Sequence, residues 1–223
     1  MHFHIITIFP NLFDSYLSDS IMKRALEQGK IQVSFYNPRD FTQDKHKKVD
    51  DIPYGGGPGM VMSVQPIVAT WEHIMQEIQP NLLQKVFGKK RKVKTIFLSP
   101  GGKPFTTAYA KESAQEYTDI IFIAGRYEGV DARVVAITGA ELVSIGEYVL
   151  TGGELAAMVM MDSIARQVEG VLGNRASLEE ERVASHEMYT RPAVYTHKGK
   201  AYPVPEVLLS GDHKKIEAWK REH

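Results

Sequence analysis

The chain of 223 residues contains no cysteine, which excludes a disulfide framework, a thiolate zinc site and a cysteine nucleophile. It also lacks a long apolar run, since no stretch approaches the ~20 residues that a membrane-spanning helix needs. The N-terminal segment lacks the charged region and the small-residue cleavage site of a signal peptide. We therefore expect a cytoplasmic protein that does not enter membranes.

An excess of charge is absent as well, since 27 basic residues balance 27 acidic ones. Proteins that coat nucleic acid without selectivity need excess positive charge to neutralise phosphates. The balance argues against that class, although it leaves room for local basic patches at residues 45–48 and 89–94. Taken alone, each cluster is more typical of a solvated loop.

What the chain does contain is a series of apolar runs that predict a parallel sheet. The runs at 94–98 and 119–124 are almost wholly apolar, as expected of strands that are buried on both faces. Further strands are predicted at 3–9, 31–36 and 141–144. Helices are predicted from Pro10 to Leu26, at 64–79, 106–117, 130–138 and 154–168, and from about Asp212. Length and pattern together indicate an α/β domain with a small appendage.

Glycine-bearing segments follow three of these strands, at residues 98–102, 124–129 and 144–153. Open α/β sheets bind ligands outside the carboxyl ends of their strands, and glycine lets a ligand approach the backbone closely. We therefore predict that the three segments form the wall of one pocket.

The chemistry of this pocket suits an adenosine-like ligand. The three segments offer many backbone hydrogen-bonding groups and few charged side chains, and Ile145, Tyr148 and Leu150 are available as apolar walls. Glu128 is the acidic residue of the second segment. It could face a cationic ligand group such as a sulfonium, or it could accept backbone hydrogen bonds, and the sequence favours neither.

Other features are less specific. The segment 53–60 holds four glycines and two prolines but lacks the Gly-Lys-Ser/Thr ending of a phosphate-binding loop. It is either a tight structural turn or a loop whose backbone lets a ligand or another chain lie against it. Arg166 is typical of an exposed arginine. The acidic run 179–181 is typical of a solvated face, although a carboxylate on a mobile linker can act as a general base. The eight histidines show no metal-ligand spacing, so we expect no protein-held metal cage.

Taken together, the segments resemble one family, the bacterial tRNA (guanine-N1-)-methyltransferases (TrmD) of the SPOUT class. The matching pieces occur in family order over nearly the whole chain, at residues 6–10, 38–42, 49–51, 53–60, 98–100, 125–129, 144–154, 170–173, 189–192 and 207–211. No single piece is diagnostic, but their combination is highly specific.

The resemblance implies a parallel-sheet α/β SPOUT fold whose last strands and loops form a trefoil knot, a rare exception to ordinary threading rules. It implies a knotted domain at 1–169, a linker at 170–203 and a small helical tRNA-binding domain at 204–223. It also implies a homodimer with the active site at the dimer interface.

The same resemblance implies methyl transfer from S-adenosylmethionine to N1 of the guanine immediately 3′ of the anticodon in tRNA, with a possible Mg²⁺ requirement. The implied cofactor-binding residues are Leu98, Ser99, Pro100, Gly125, Glu128, Gly129, Ser144, Ile145, Gly146, Glu147, Tyr148, Val149, Leu150, Gly152 and Gly153. The implied catalytic residues are Glu181, as the base that removes the N1 proton, and Arg166, as the cation near guanine O6.

The chain departs from the family pattern at four places, one of which is the linker before Tyr189, a few residues shorter than in the family. Glu181 stands where the family has aspartate, and its extra methylene displaces the carboxylate by about an ångström, a shift that can cost on the order of a hundredfold in rate. Ala156 replaces the usual proline. Family members commonly continue beyond the position of His223 with a basic stretch, whose loss would weaken tRNA binding but not cofactor binding.

Two alternatives therefore remain beside the leading hypothesis. One is an RNA-binding or cofactor-sensing protein that keeps the fold without efficient catalysis. The other is a SPOUT methyltransferase that acts on another RNA position, against which the segment 53–60 and the C-terminal unit argue.

Overall fold

The computed structural model describes residues 1–79, 91–173 and 187–222. The chain forms two compact units, Met1–Gly173 and Asn174–His223. No helix within the described residues is both long and apolar enough to span a membrane.

The first unit is built around a parallel sheet of five strands in the order β2-β1-β6-β5-β7. Its strands are β1 (His2–Ile6), β2 (Gln32–Tyr36), β5 (Val93–Pro104), β6 (Asp119–Ile123) and β7 (Glu141–Ser144), while β3 (Asp50–Asp51) and β4 (Val61–Met62) form a separate antiparallel pair. The five predicted strands and their parallel arrangement are confirmed.

The helices of this unit lie mostly where the apolar spacing predicts them. They are α1 (Asp14–Leu17), α2 (Ser20–Glu27), α3 (Val64–Ile78), α4 (Thr107–Glu116), α5 (Arg133–Thr138) and α6 (Glu154–Ala165), with 3-10 turns at Pro10–Phe13 and Pro38–Asp40. The single helix predicted from Pro10 to Leu26 is wrong. Ser20 adopts a φ of 56°, which breaks the helix, and the Asp19 side chain accepts a hydrogen bond from the Ser20 backbone N–H.

Residues of β6 alternate between two apolar clusters, which explains why the strand is apolar throughout. Ile120 and Phe122 pack in one cluster, and Ile121 and Ile123 pack in the other. Both faces of the sheet are therefore covered, and each buried face stabilises the sheet by removing apolar area from water.

The pairing of strand β5 with β7 is interrupted toward the carboxyl end of β5. Leu98 and Lys103 both pair with Val143 of β7, so residues 99–102 bulge out of the ladder. A Cβ atom at Gly102 would lie 2.5 Å from the carbonyl carbon of Leu142, so this position needs glycine. The bulge places Ser99 and Pro100 outside the sheet, where they can form part of a pocket.

The second unit contains a β-hairpin as well as helices. Strands β8 (Val194–His197) and β9 (Lys200–Pro203) pair antiparallel, and α7 (Glu206–Leu209) and α8 (His213–Glu222) follow. The helix expected from about Asp212 is confirmed, but the hairpin lies inside the stretch 170–203 predicted as a linker. Lys198 and Gly199, with φ of 49° and 78°, supply the two-residue turn that closes it.

Candidate active site

The three glycine-bearing segments meet at the carboxyl ends of β5, β6 and β7 and enclose a cavity of about 300 Å³. The predicted residues that line it are Leu98, Ser99, Pro100, Gly125, Glu128, Gly129, Ser144, Ile145, Gly146, Tyr148, Val149, Leu150, Gly152 and Gly153. The structure describes every predicted cofactor-binding residue, and Glu147 is the one among them that does not line the cavity. The cavity is also lined by Arg126, Tyr127 and Thr151, which belong to the predicted segments, and by Phe97, Val130 and Ala156, which lie outside them.

Gly153 fixes the distance between α6 and the end of β6. Its backbone N–H donates to the carbonyl oxygen of Gly125 at 2.9 Å, and its own carbonyl accepts from Ala157 N–H at 2.9 Å. A Cβ atom at Gly153 would lie 2.7 Å from the Cα of Ala124. Backbone cannot yield as a flexible side chain can, so any side chain at this position displaces the start of α6 and changes the cavity.

A buried ion pair joins the second and third cavity loops. Glu154 is 1% exposed, and its Oε2 lies 2.8 Å from Arg126 Nε. The two atoms form an ion pair, although their angles do not meet those of a hydrogen bond. Thr7 donates to the other carboxylate oxygen at 2.8 Å, and Arg126 Nη1 donates to the carbonyl of Thr151 at 3.2 Å. The Arg126 guanidinium also lies 4.8 Å from the ring centroid of Phe9. Arg126 is thereby fixed at the cavity wall.

The segment 53–60 packs against the second cavity loop. A Cβ atom at Gly59 would lie 2.6 Å from Glu128 Oε1, and Glu128 N–H donates to the carbonyl of Met60 at 3.0 Å. Four glycines of the segment have positive φ, between 77° and 120°, a backbone that other residues rarely adopt. The segment is therefore a tight turn that also closes on the loop carrying Glu128.

Of the two predicted catalytic residues, the structure describes one. Arg166 follows the last turn of α6, and its N–H donates to the carbonyl of Asp162 at 3.0 Å. Glu181 lies outside the described residues, together with the rest of the acidic run 179–181.

A second polar cluster lies at the opposite, amino edge of the sheet. His4 Nε2 lies 3.1 Å from Asp119 Oδ1, and Arg91 binds the same buried carboxylate through Nε, at 2.9 Å, and through Nη2. Burial by itself would raise the pKa of Asp119, but hydrogen bonds from His4, Thr118 and Arg91 outweigh it and hold the pKa at about 2. The carboxylate therefore stays ionised and paired.

His2 belongs to the same cluster. Its burial and the neighbouring His4 lower the pKa of His2 to about 4. Ligand atoms of His2, His4 and Asp119 lie within 4.8 Å of one another, a grouping that the sequence analysis missed because Asp119 is 115 residues from His4. Since the Asp119 carboxylate already binds Arg91, the group is built as an ion-pair network.

Comparison with known proteins gives one consistent result. The sequence model of the family described as tRNA (Guanine-1)-methyltransferase TrmD matches residues 1–223. A protein of Clostridioides difficile (strain 630) named tRNA (guanine-N(1)-)-methyltransferase is 47% identical over 226 residues, which cover 100% of this chain and 91% of that protein. Proteins of the same name from Lachnoclostridium phytofermentans and Carboxydothermus hydrogenoformans are 41% and 45% identical, over 100% of this chain and 86% and 82% of theirs.

Proposed function

Because the chain belongs to the tRNA (guanine-1)-methyltransferase TrmD family, we propose that it transfers a methyl group from S-adenosylmethionine to N1 of the guanine immediately 3′ of the anticodon in tRNA. The observation that carries this proposal is the family match over the full chain. The cavity at the carboxyl edge, with its apolar walls and backbone hydrogen-bonding groups, supports it independently.

The cavity fits the chemistry of the proposed cofactor. Ile145, Tyr148 and Leu150 are available to pack against an adenine ring, while backbone groups of the three loops can hydrogen-bond its edge and the ribose. Glu128 lines the same cavity and can face the sulfonium charge. When bound, S-adenosylmethionine supplies an electrophilic methyl group.

The proposed catalytic roles follow from the chemistry of guanine. N1 carries a proton that must leave before or during attack, and the Glu181 carboxylate accepts it. Loss of that proton would leave negative charge shared between N1 and O6, which the Arg166 guanidinium would stabilise. The N1 electron pair would then be free to accept the methyl group that the bound cofactor supplies. Positioning of the two reactants contributes much of the rate.

We further propose that the protein acts as a homodimer, in which each active site takes Glu181 from the second copy. Leu155 and Val159 on α6 support this proposal. They are 57% and 48% exposed and lie four residues apart on one helix face, while Ala156 and Met160 beside them are buried. Replacement of Val159 by Lys should shift the protein toward monomer in sedimentation experiments and reduce activity. A variant that remains dimeric would exclude this face.

The trefoil knot, a linker within 170–203, a tRNA-binding role for the C-terminal unit, Mg²⁺ dependence and a cytoplasmic location belong to the same proposal. Mg²⁺ dependence is tested by chelation with EDTA during the methylation assay. We expect activity to fall and to return when Mg²⁺ is added.

The function is tested by methyl incorporation from labelled S-adenosylmethionine into two tRNA transcripts that differ in having guanine or adenine 3′ of the anticodon. We expect incorporation confined to the guanine transcript and mapped to N1. Equal incorporation into both transcripts would assign the enzyme to another RNA position. Cofactor binding without incorporation would favour a relative that has lost catalysis.

The base is tested by Glu181→Gln, with Glu180→Gln as the matched control on the neighbouring residue. We expect Glu181→Gln to lower the single-turnover rate by roughly 100-fold or more, the range that general-base catalysis contributes, while cofactor affinity stays unchanged. Full activity of Glu181→Gln with loss in Glu180→Gln would move the role to the neighbouring carboxylate.

A further inference from the structure

The β-hairpin of the second unit presents two tyrosines and two basic side chains on a single face. Tyr195 lies opposite Tyr202 across the ladder, and His197 lies opposite Lys200. Residues directly opposite each other, and residues two apart on a strand, point to the same side of a sheet. We refer to Tyr195, His197, Lys200 and Tyr202 as the tyrosine face.

The tyrosine face is open to solvent. All residues of β8 and β9 are exposed, and Tyr195 and Tyr202 remain 59% and 49% exposed. The Lys200 ammonium lies 5.2 Å from the ring centroid of Tyr202, at cation–π distance. Tyr189, by contrast, packs against Trp219 at 6.2 Å between ring centroids and takes no part in this face.

The hairpin holds these side chains in a defined arrangement. Its turn uses two residues with positive φ, which matches the twist of paired strands, and Val204 N–H donates to the carbonyl of Ala193 at 2.8 Å beyond the last paired residues. Because the ladder fixes the backbone of both tyrosines, a flat ligand that stacks on their rings orders only side chains.

Charge around the hairpin differs from that of the whole chain. Residues 188–205 contain Arg191, Lys198 and Lys200 but no aspartate or glutamate, whereas the full chain balances 27 basic with 27 acidic residues. Basic side chains beside exposed aromatic rings are the combination that binds single-stranded nucleic acid, through phosphate attraction and base stacking.

We propose that the tyrosine face binds unpaired bases of the tRNA substrate by stacking on Tyr195 and Tyr202, while Lys198 and Lys200 contact the adjoining phosphates. The inference rests on the proposed function, since it takes tRNA as the ligand. It assigns the tRNA-binding role proposed above for the C-terminal unit to four named residues of the hairpin, with base stacking as the contact. Stacking does not depend on base identity, so the face contributes affinity rather than sequence selection.

The test compares full-length variants for binding to a fluorescent anticodon stem-loop and to an RNA duplex of the same length. The double variant Tyr195→Ala/Tyr202→Ala should bind the stem-loop at least about 10-fold more weakly, since loss of one stacked base costs roughly 5-fold or more and the variant removes two rings. Tyr195→Phe/Tyr202→Phe keeps the rings and should bind within about twofold of the parent. Thr196→Ala, on the other face of β8, is the matched control.

Salt dependence separates stacking from charge. Lys198→Ala/Lys200→Ala should reduce the magnitude of the slope of log affinity against log salt by about 0.7 for each lost phosphate contact. Tyr195→Ala/Tyr202→Ala should leave that slope unchanged. S-adenosylmethionine affinity, measured by calorimetry, should be the same in every variant and reports that the first unit is intact.

Unchanged stem-loop binding by Tyr195→Ala/Tyr202→Ala would overturn the inference. An equal loss of affinity for the stem-loop and for the duplex would overturn it as well. Methylation of the guanine transcript by the parent protein is measured in parallel. If the parent methylates that transcript while Tyr195→Ala/Tyr202→Ala binds the stem-loop normally, the role proposed for the tyrosine face is wrong and the proposed function stands. If the parent neither binds nor methylates tRNA, both are wrong.

Discussion

The two edges of the parallel sheet are built in opposite ways. At the amino edge, His4, Asp119 and Arg91 bind one another, so the polar groups are satisfied by side chains of the same cluster. At the carboxyl edge, three loops leave the sheet and enclose an open cavity lined by glycine, backbone and apolar side chains.

The comparison shows how a structural cluster is told apart from a binding site. Both edges contain ionisable residues, and at the amino edge two pKa values are strongly shifted, those of His2 and Asp119. Shifted pKa values often mark functional sites, but ion-pair networks shift them as well. Here the cavity distinguishes the site, and we expect substitutions at the two edges to affect different properties.

The largest effect is expected from Glu154→Ala, at the carboxyl edge. The substitution leaves Arg126 without its buried partner and should lower the free energy of unfolding by about 3 kcal/mol, as for other broken buried pairs. Denaturant titration measures the loss. In a double-mutant cycle with Arg126→Ala, an interaction energy near zero would show that the pair contributes nothing to stability.

Gly153→Val should reduce cofactor affinity more than overall stability. Its side chain would meet the backbone of Ala124, and the ~1–3 kcal/mol that overpacking costs corresponds to a roughly 5- to 150-fold weaker affinity for S-adenosylmethionine if the strain falls on the cavity. Calorimetry measures the affinity. Gly101→Ala is the matched control, because a Cβ atom there meets no atom within 4 Å. Equal affinity in both variants would place the cofactor elsewhere.

Asp119→Asn should affect stability and leave the cavity unchanged. It removes the charge that pairs with Arg91, and because Arg91 is 36% exposed we expect a loss of only about 1–2 kcal/mol in unfolding free energy. S-adenosylmethionine affinity should remain within about twofold of the parent. A large loss of affinity would contradict the separation between the two edges.

The smallest effect concerns pH. The pKa of folded His2 is about 4, below the ordinary histidine value of 6.5, so the unfolded chain binds a proton more readily as the pH falls below 6.5. Stability should therefore decrease as the pH falls below 6.5, by about 1 kcal/mol at pH 5.5 and by more toward pH 4. His2→Gln should remove this part of the decrease in urea titrations at pH 7, 5.5 and 4.5. An unchanged pH profile would rule out His2 as its source.

The sequence allows prediction of the elements that local pattern determines. Strand β6 is apolar because both its faces are buried, and the rule on carboxyl ends then brings segments 98–102, 124–129 and 144–153 to one cavity. The ion pair between Arg126 and Glu154 was missed because the two residues are distant in sequence and become neighbours only when the third loop returns to β6.

Three further differences between the predictions and the structure each have their own reason. The grouping of His2 with Asp119 depends on the register between β1 and β6, which no spacing along the chain reveals. The hairpin of the second unit was missed because Lys198-Gly199 is a weak turn signal and both strands are short. The break at Ser20 follows Asp19, the N-cap of the second helix, a residue type favoured at that position that the single-helix prediction did not use.

The most direct test of the proposed active site is a crystal structure of the protein with S-adenosylhomocysteine, the demethylated product. We predict that the adenine ring lies between the loops at 98–102 and 144–153, with its ribose against the loop at 124–129. Binding of the nucleoside at any other place, with this cavity occupied by solvent, would contradict the account.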